Sequence, residues 1–443
     1  MRTTAVDSRI LVLTVGTGNA KNLEDSLYVP LQRSISSGDW DRIVLLPSQS
    51  TVAQAFELQR RVDGLAVEVC AIPGAGDEND ADASFAHFDA VLGKLIDVDG
   101  VDPGAITLDF TRGTKAMSAA LVLAGMSRGI PVLRYIEGER GERGMVIPGT
   151  EKIREVRTIV ASARWQISLA ERFMLRGNFE AARVMLHEAL SDTDGLPESL
   201  RSQLNAYQHV AAVYAAWDRF NFDGALGLLK AHKEAAAEAG RFRPTDSMEN
   251  WLEKLAHRPP RDSHLEMADY LRLLACDILA NAERRYRDGH FEDAGVRWYR
   301  VLELIGQAGL FAHGYDSGRL PAGDQKVRKL NARLKRTRKQ PLGFSKPDTL
   351  TAGRFQVAQF LDDLDDPLAS CLFGEHDKEY VKNRNLGILL HGFDANASKV
   401  TSSAARMISG NLEEILVMDS AEAAGWLATA RSLDFSGYHG DLQ

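Results

Sequence analysis

The sequence predicts two kinds of architecture in one chain: an α/β region built on a parallel-rich sheet, then an all-α remainder. Three observations predict it. Between Arg9 and about Pro148, short apolar β-branched runs alternate with helical segments. After about Thr150 strand signals stop and apolar residues recur at helical spacing. The 443 residues allow two to four domains at roughly 150 residues each, every one large enough to bury its own core.

The strand runs are Ile10 to Val15, Arg42 to Leu46, Leu65 to Ile72, Ala105 to Phe110 and Val132 to Ile136. Helical segments separate them at Glu24 to Ser37, Val52 to Val62, Phe85 to Ile96 and Lys115 to Arg128. Near-continuous apolar strands alternating with helices imply a parallel sheet covered on both faces. Ligands in such sheets bind beyond the carboxyl ends of the strands. The residues predicted there are Gly16-Thr17-Gly18-Asn19, Ser48-Gln49-Ser50 and Asp109-Phe110-Thr111-Arg112-Gly113-Thr114-Lys115.

Two nucleotide motifs are excluded. Gly16-Thr17-Gly18 lacks the third glycine of a dinucleotide fingerprint, and no acid follows the second strand to hold a ribose. Gly113-Thr114-Lys115 is no P-loop, because Leu108 stands where the leading glycine belongs. Thr111 to Lys115 nonetheless forms a strand-to-helix turn whose free N–H groups and lysine suit a phosphate or ribose-phosphate. The competing reading is a Gly/Thr turn that only caps the next helix.

From Ile153 through Arg176 and onward the chain reads as helix, with Trp165, Leu169, Phe173 and Met174 at helical spacing and Gly177 as a stop. Asn178-Phe179-Glu180-Ala181-Ala182, Asn221-Phe222-Asp223-Gly224-Ala225 and His290-Phe291-Glu292-Asp293-Ala294 echo one another, each opening a helix after a break. Their spacing is unequal, which predicts an irregular helical array and not a regular solenoid. Arg258-Pro259-Pro260-Arg261 interrupts helix and marks the last boundary. Long helices follow at Leu265 to Arg287 and Phe291 to Leu310, then a basic segment, Lys326 to Lys339, with no acid in it.

Composition limits what such a chain can do. It is 44% hydrophobic and 26% charged, as in ordinary soluble proteins, with a net charge of -8. The whole molecule is therefore no polyanion binder, and a nucleic-acid site must be a local basic patch. Lys335, Arg336, Arg338 and Lys339 are the candidates for RNA backbone contact, against the alternative of a solvated face. The acidic run Leu361 to Pro367 reads as a solvated turn or helix end, with no further ligand placed to make it a metal site. Cys70, Cys276 and Cys371 are odd in number and scattered, which points to a reducing compartment. With no signal h-region before the first strand and no apolar run near 18 residues, the expectation is a soluble cytoplasmic chain that binds no membrane.

The sharpest local pattern is Lys382 to Phe393. In a helix at about 100° per residue, Arg384 and His391 lie within roughly 20° of each other, while Leu386, Leu389 and Leu390 face away. A guanidinium there can bind a phosphate, and an imidazole can move a proton near neutrality. Arg258 to His264, Arg284 to His290 and Arg285 to His290 share the spacing, but Pro259-Pro260 or Gly289 breaks each.

Two resemblances give these motifs a context. Asp109-Phe110-Thr111-Arg112-Gly113-Thr114-Lys115-Ala116-Met117, after a Val-Gly-Thr-Gly strand end, resembles the CARF domains of CRISPR-associated proteins, Rossmann-like sensors of cyclic oligoadenylates. The likeness spans roughly residues 8 to 150. This chain has Arg112 where the family's T-G-G-T-K-type motif has its first glycine, which either adds a phosphate contact or alters the turn. The likeness implies a ligand site at Gly16, Thr17, Gly18, Asn19, Ser48, Gln49, Asp109, Thr111, Arg112, Gly113, Thr114, Lys115 and Met117. Arg384-Asn385, apolar residues, then His391-Gly392-Phe393 resembles the active-site helix of HEPN ribonucleases. That implies His391 activating the ribose 2′-OH or protonating the leaving oxygen, Arg384 on the scissile phosphate, Asn385 orienting one of them, and no metal. One histidine is sparse for a reaction that removes one proton and supplies another, so a two-fold homodimer is expected to complete the site.

The resemblances together imply a CARF-HEPN effector of a type III CRISPR system. It would be a single-stranded-RNA endoribonuclease with cyclic oligoadenylate as allosteric activator and no required cofactor. The expected organisation is a Rossmann-like sensor domain at 1–150, a helical connector at 151–262 and an all-helical HEPN domain at 263–443. A sensor that also degrades its ligand, and a non-catalytic nucleotide-sensing regulator that docks a protein or nucleic acid, are the competing expectations.

Overall fold

β1 (Ile10–Val15) is the strand from which the N-terminal sheet grows, and all six of its residues are buried. Alternate side chains of a strand feed opposite faces. Ile10 and Val12 enter one core with Val44, Leu46, Ile106, Leu108, Phe88 and Ala120. Leu11, Leu13 and Val15 enter the other with Leu27, Leu31, Ile43, Leu45, Ala55 and Leu58. Burial on both faces is why the run reads as continuous apolar sequence.

The computed structural model describes residues 8–62, 64–139, 147, 149–191, 195–372 and 402–435. With β2 (Arg42–Pro47), β3 (Ala66–Val69), β4 (Ile106–Asp109), β5 (Val132–Glu137) and β6 (Lys152–Arg157), the sheet order is β3-β2-β1-β4-β5-β6. The first five strands run parallel and β6 pairs antiparallel with β5. The chain grows outward from β1 in one direction and then in the other. The switch falls between β1 and β4, where open α/β sheets leave a ligand crevice. Helices α1 (Val29–Ser36) and α2 (Val52–Arg61) cover one face; α3 (Ala81–Gly93) and α4 (Lys115–Ser127) cover the other. A π-helical turn, Glu24–Tyr28, leads into α1, and another, Lys94–Val98, continues α3.

β6 corrects the expectation of helix from Ile153. Ile153 and Val156 are three apart, which mimics helical spacing, but β6 is a largely exposed edge strand that gives no alternating apolar signal. Helix begins only at α5 (Ile159–Leu175). Its buried stripe is Ala163, Ile167, Ala170 and Met174, whereas Trp165 is 63% exposed.

By compactness the chain divides into two units, Met1–Trp165 with Thr193–Leu200, and Gln166–Asp192 with Arg201–Gln443. The second contains α6 (Phe179–Ala189), most of α7 (Glu198–Asp218), α8 (Phe222–Ala231), α9 (Asp246–Ala256), and the long neighbours α10 (His264–Arg287) and α11 (Phe291–Ala312). The three echoed segments share one turn. Gly177, Phe220 and Gly289 have φ of 74°, 61° and 80°. The following N–H of Asn178, Asn221 and His290 closes back to the carbonyl of Phe173, Ala216 and Arg285 at 2.9, 3.0 and 2.9 Å. This left-handed closure ends one helix and aims the next.

The remainder is mostly helical, with one addition to the expected all-helical C-terminal region. Leu320–Pro321 (β7), Gly343–Lys346 (β8) and Thr349–Thr351 (β9) form a small antiparallel sheet in the order β7-β9-β8. Strands this short, with glycine and proline in them, carry no readable alternation. Around the sheet lie α12 (Gln325–Arg336) and α13 (Arg354–Asp363); α14 (Leu368–Leu372), α15 (Ser402–Asp419) and α16 (Ala423–Ala430) complete the described helices. No described helix is long and apolar enough to cross a membrane.

Candidate functional site

At the carboxyl end of β1, the chain must pass close to the turn after β4. A Cβ on Gly16 would lie 3.0 Å from the backbone nitrogen of Gly113, and one on Gly113 would lie 3.2 Å from Thr14 Oγ1. The two loops touch through backbone because neither residue has a side chain. This places 16–19 and 111–115 side by side at the switch point, with Ser48 to Thr51 of the neighbouring strand end alongside.

Several of the predicted ligand residues are committed inward. Asp109 is fully buried. Its Oδ1 accepts from the Thr111 N–H at 2.9 Å and from the Thr111 hydroxyl, while Oδ2 accepts from Ser34 Oγ and lies 3.4 Å from Arg134 Nε. Arg134 Nη2 also donates to Ser34 O at 2.5 Å. Burial pulls the Arg134 guanidinium below its usual pKa, and Asp109 opposes that shift. Thr111 Oγ1 also accepts from the Ile136 N–H at 2.9 Å. Thr114 is the N-cap of α4, accepting from the Met117 N–H at 3.2 Å, and its hydroxyl donates to Glu78 O. The capping reading of this turn is therefore realised, and the first turn of α4 still presents its N-terminus.

The neighbouring loop behaves similarly. Ser48 is 2% exposed, and its N–H donates to Thr51 Oγ1 at 2.9 Å, which in turn donates to Val15 O at 2.7 Å. Gln49 Nε2 donates to Ile72 O at 2.7 Å. Asn19 folds its own loop, its N–H donating to Ser26 Oγ at 2.7 Å and its Oδ1 accepting from the Lys21 N–H at 3.0 Å. Gly18 has φ 63°, a conformation suited to glycine. Met117 is buried in the core.

What remains open at this end is cationic. Lys115 is exposed on the first turn of α4 and Thr17 is exposed beside it. Arg112 is half-buried; its Nε has no hydrogen-bond partner among the described residues. Burial lowers the Arg112 pKa, with Asp109 and Glu151 acting in the opposite direction. The face therefore combines a helix N-terminus, an exposed ammonium and an under-bonded guanidinium, an arrangement suited to a polyanionic ligand. Ser34 and Arg134, which fix Asp109, were invisible to motif reading because they lie far from it in sequence and belong to helix α1 and strand β5.

In the helical unit, Arg384, Asn385 and His391 lie outside the described residues. The three competing Arg/His spacings are disposed of by geometry. α9 ends at Ala256 and α10 begins at His264, so Arg258 and His264 straddle a break. Arg284 and Arg285 are separated from His290 by the turn at Gly289, and both pair with Asp218.

The basic segment forms α12, capped by Asp324, which accepts from the Lys326 and Val327 N–H groups at 2.8 and 3.0 Å. Val327, Leu330 and Leu334 face inward. Arg333 pairs with Asp362 and Asp363 at 3.4 and 3.2 Å, which accounts for part of the acidic run as a helix end. Lys335, Arg336 and Arg338 are exposed, and Lys339 Nζ sits 4.8 Å from the Phe355 ring centroid. Among the described residues, no three His, Cys, Asp or Glu side chains cluster as a metal site would require.

Comparison with known proteins bears on both regions. Residues 266–415 match the family model described as the Csm6 HEPN domain. The chain is 26% identical over 361 residues to the CRISPR system endoribonuclease Csm6 of Thermus thermophilus, covering 76% of this chain and 74% of that protein. A solved structure, Enterococcus italicus Csm6 bound to cyclic hexa-2′-fluoro-hexa-dAMP, aligns with a TM-score of 0.42 and 14% identity over 96% of this chain and 99% of that one. With a HEPN match that follows a parallel-rich N-terminal sheet along the sequence, the chain is similar to the CARF-HEPN proteins of the Csm6 type.

Proposed function

We propose that this protein is a single-stranded-RNA endoribonuclease switched on by a cyclic oligoadenylate. The observation that carries the reading is the HEPN match over residues 266–415, which encloses Arg384, Asn385 and His391. His391 takes the 2′-OH proton or protonates the leaving oxygen, Arg384 neutralises the charge that develops on the phosphate, and Asn385 orients one of the two. Attack by the ribose's own hydroxyl needs no metal. Two copies of the chain bring two histidines together and so supply both a base and an acid.

The activator binds where β1 and β4 end, on Lys115, Arg112 and the backbone of 111–114, beside 16–19 and Ser48-Gln49. Its effect requires tighter binding to the active arrangement than to the resting one. The proposed division is a sensor at 1–150, a connector at 151–262 and the nuclease at 263–443; the match beginning at residue 266 supports the last boundary. The free cysteines, with burial raising Cys70 to about 11 and Cys276 to about 12, fit a reducing cytoplasm.

The test is cleavage of labelled RNA in EDTA across a panel of cyclic oligoadenylates, with two variants. His391→Ala is expected to abolish cleavage while ligand binding persists, and Lys115→Ala to move the activation curve to higher ligand concentration. Normal cleavage by the first variant removes the nuclease assignment; an unmoved curve for the second removes the sensor site.

A further inference from the structure

Phe344 stands out on the surface of the helical unit: it is 82% exposed, although its place in the small sheet should cover it. β9 lies between β7 and β8, and Leu350 is opposite both Leu320 and Phe344. Residues directly opposite in neighbouring strands share a face. Leu320 is fully buried and Leu350 is 4% exposed. The apolar row thus runs out from the core and ends on an uncovered aromatic ring at the sheet edge.

The hairpin is fixed beside the basic helix. The Leu342 N–H donates to Asn331 Oδ1 at 3.2 Å, and Asn331 lies one turn before Lys335 on α12. Gln356 Nε2, at the start of α13, donates to Gln340 O and Pro341 O at 3.3 and 3.0 Å. Phe344 is therefore held two residues from an anchor to the helix that presents Lys335, Arg336 and the adjoining Arg338. These three cations are exposed and have no acidic partner among the described residues, whereas Arg333, on the α13 side, is neutralised by Asp362 and Asp363.

The geometry points to a stacking platform for single-stranded RNA, with Phe344 taking the face of a base and Lys335, Arg336 and Arg338 taking the flanking phosphates. Charge selects this occupant: an apolar partner would bury three unpaired cations, while a polyanion with π-faces satisfies both features. A protein of net charge -8 needs such a local patch to hold RNA at all. The inference rests on the ribonuclease reading for its substrate and adds the residue that grips a base outside the cleavage helix.

The experiment uses the full chain and a labelled 2′-O-methyl oligocytidylate, which supplies no attacking hydroxyl and none of the adenines of the proposed activator, and reads fluorescence anisotropy. Phe344→Ala is expected to weaken binding roughly five- to hundredfold, as loss of one stacked base does. Phe344→Trp is expected to retain it. Abasic substitution in the oligonucleotide should weaken binding to the parent and change little for Phe344→Ala, and the salt dependence of that variant should match the parent's. Lys335→Gln should instead flatten the salt dependence by about 0.7 in the log-log slope. Unchanged affinity in Phe344→Ala, or a change of oligomeric mass that accounts for any loss, overturns the platform and leaves the nuclease reading intact. Absence of binding by the parent overturns the platform too. Binding as described by a parent that cleaves no RNA supports the platform and removes only the nuclease.

Discussion

Asp277 on α10 is 2% exposed and only one of its oxygens is served. The indole N–H groups of Trp217 and Trp251 donate to Oδ1 at 2.9 and 3.0 Å, while Oδ2 has no hydrogen-bond partner among the described residues. Burial raises its pKa; the two indoles and the nearby Arg284 oppose the shift, and Asp218 adds to it. An acid whose folded value exceeds its unfolded value of about 3.9 binds a proton in the folded chain where the unfolded chain does not. Its contribution to stability is complete below about pH 4 and is lost as pH rises through the folded value. Asp277→Asn keeps an acceptor for both indoles and cannot ionise. Between pH 4 and pH 8 the urea midpoint of the variant should therefore rise relative to the parent's. A difference that stays constant across that range would show that no proton is linked to folding at this position.

The three left-handed turns of the helical unit make a controlled comparison. Asn178, Asn221 and His290 share backbone angles near φ -87°, -87° and -84° and ψ 63°, 71° and 64°. The asparagines accept from the Ala181 and Gly224 N–H groups at 3.3 and 3.1 Å, and His290 makes no such side-chain cap. N-cap asparagine is worth about 1 kcal/mol over alanine. Asn178→Ala and Asn221→Ala should each lower stability by about that amount, and His290→Asn should raise it by a similar amount, all read from denaturant midpoints. Stability loss in His290→Asn would mean that the imidazole has a role the cap comparison misses. These turns were legible in the sequence because an Asn- or His-led Phe follows a break each time; β6 was not, because an edge strand exposed on both faces carries no apolar period. The same physics divides the candidate site. Loop positions at the strand ends are legible from strand order, whereas the contacts that tie Asp109, Thr111 and Thr114 inward are not, because Ser34, Arg134, Ile136 and Glu78 lie on other elements that no local motif names.

In the proposed nuclease, one chain holds half a cleavage site. A general acid and a general base are both needed, and the motif supplies one histidine per chain. If cleavage needs the intact motif from both copies of a two-fold dimer, a chain carrying His391→Ala poisons every dimer it enters. Co-expression of parent and variant in equal amounts then leaves about one quarter of the dimers fully intact, since random pairing squares the parent fraction. If each chain cleaves alone, about one half of the activity remains, because each parent copy counts independently of its partner. Titrating the variant upward at constant total chain, with saturating cyclic oligoadenylate, separates a quadratic fall from a linear one. The control is a tagged parent in place of the variant, which should leave activity flat. A linear fall removes the composite site while leaving His391 its catalytic role. A quadratic fall makes dimer formation part of the chemistry, and cleavage should then be lost on dilution below the dimer's dissociation constant as steeply as by mutation.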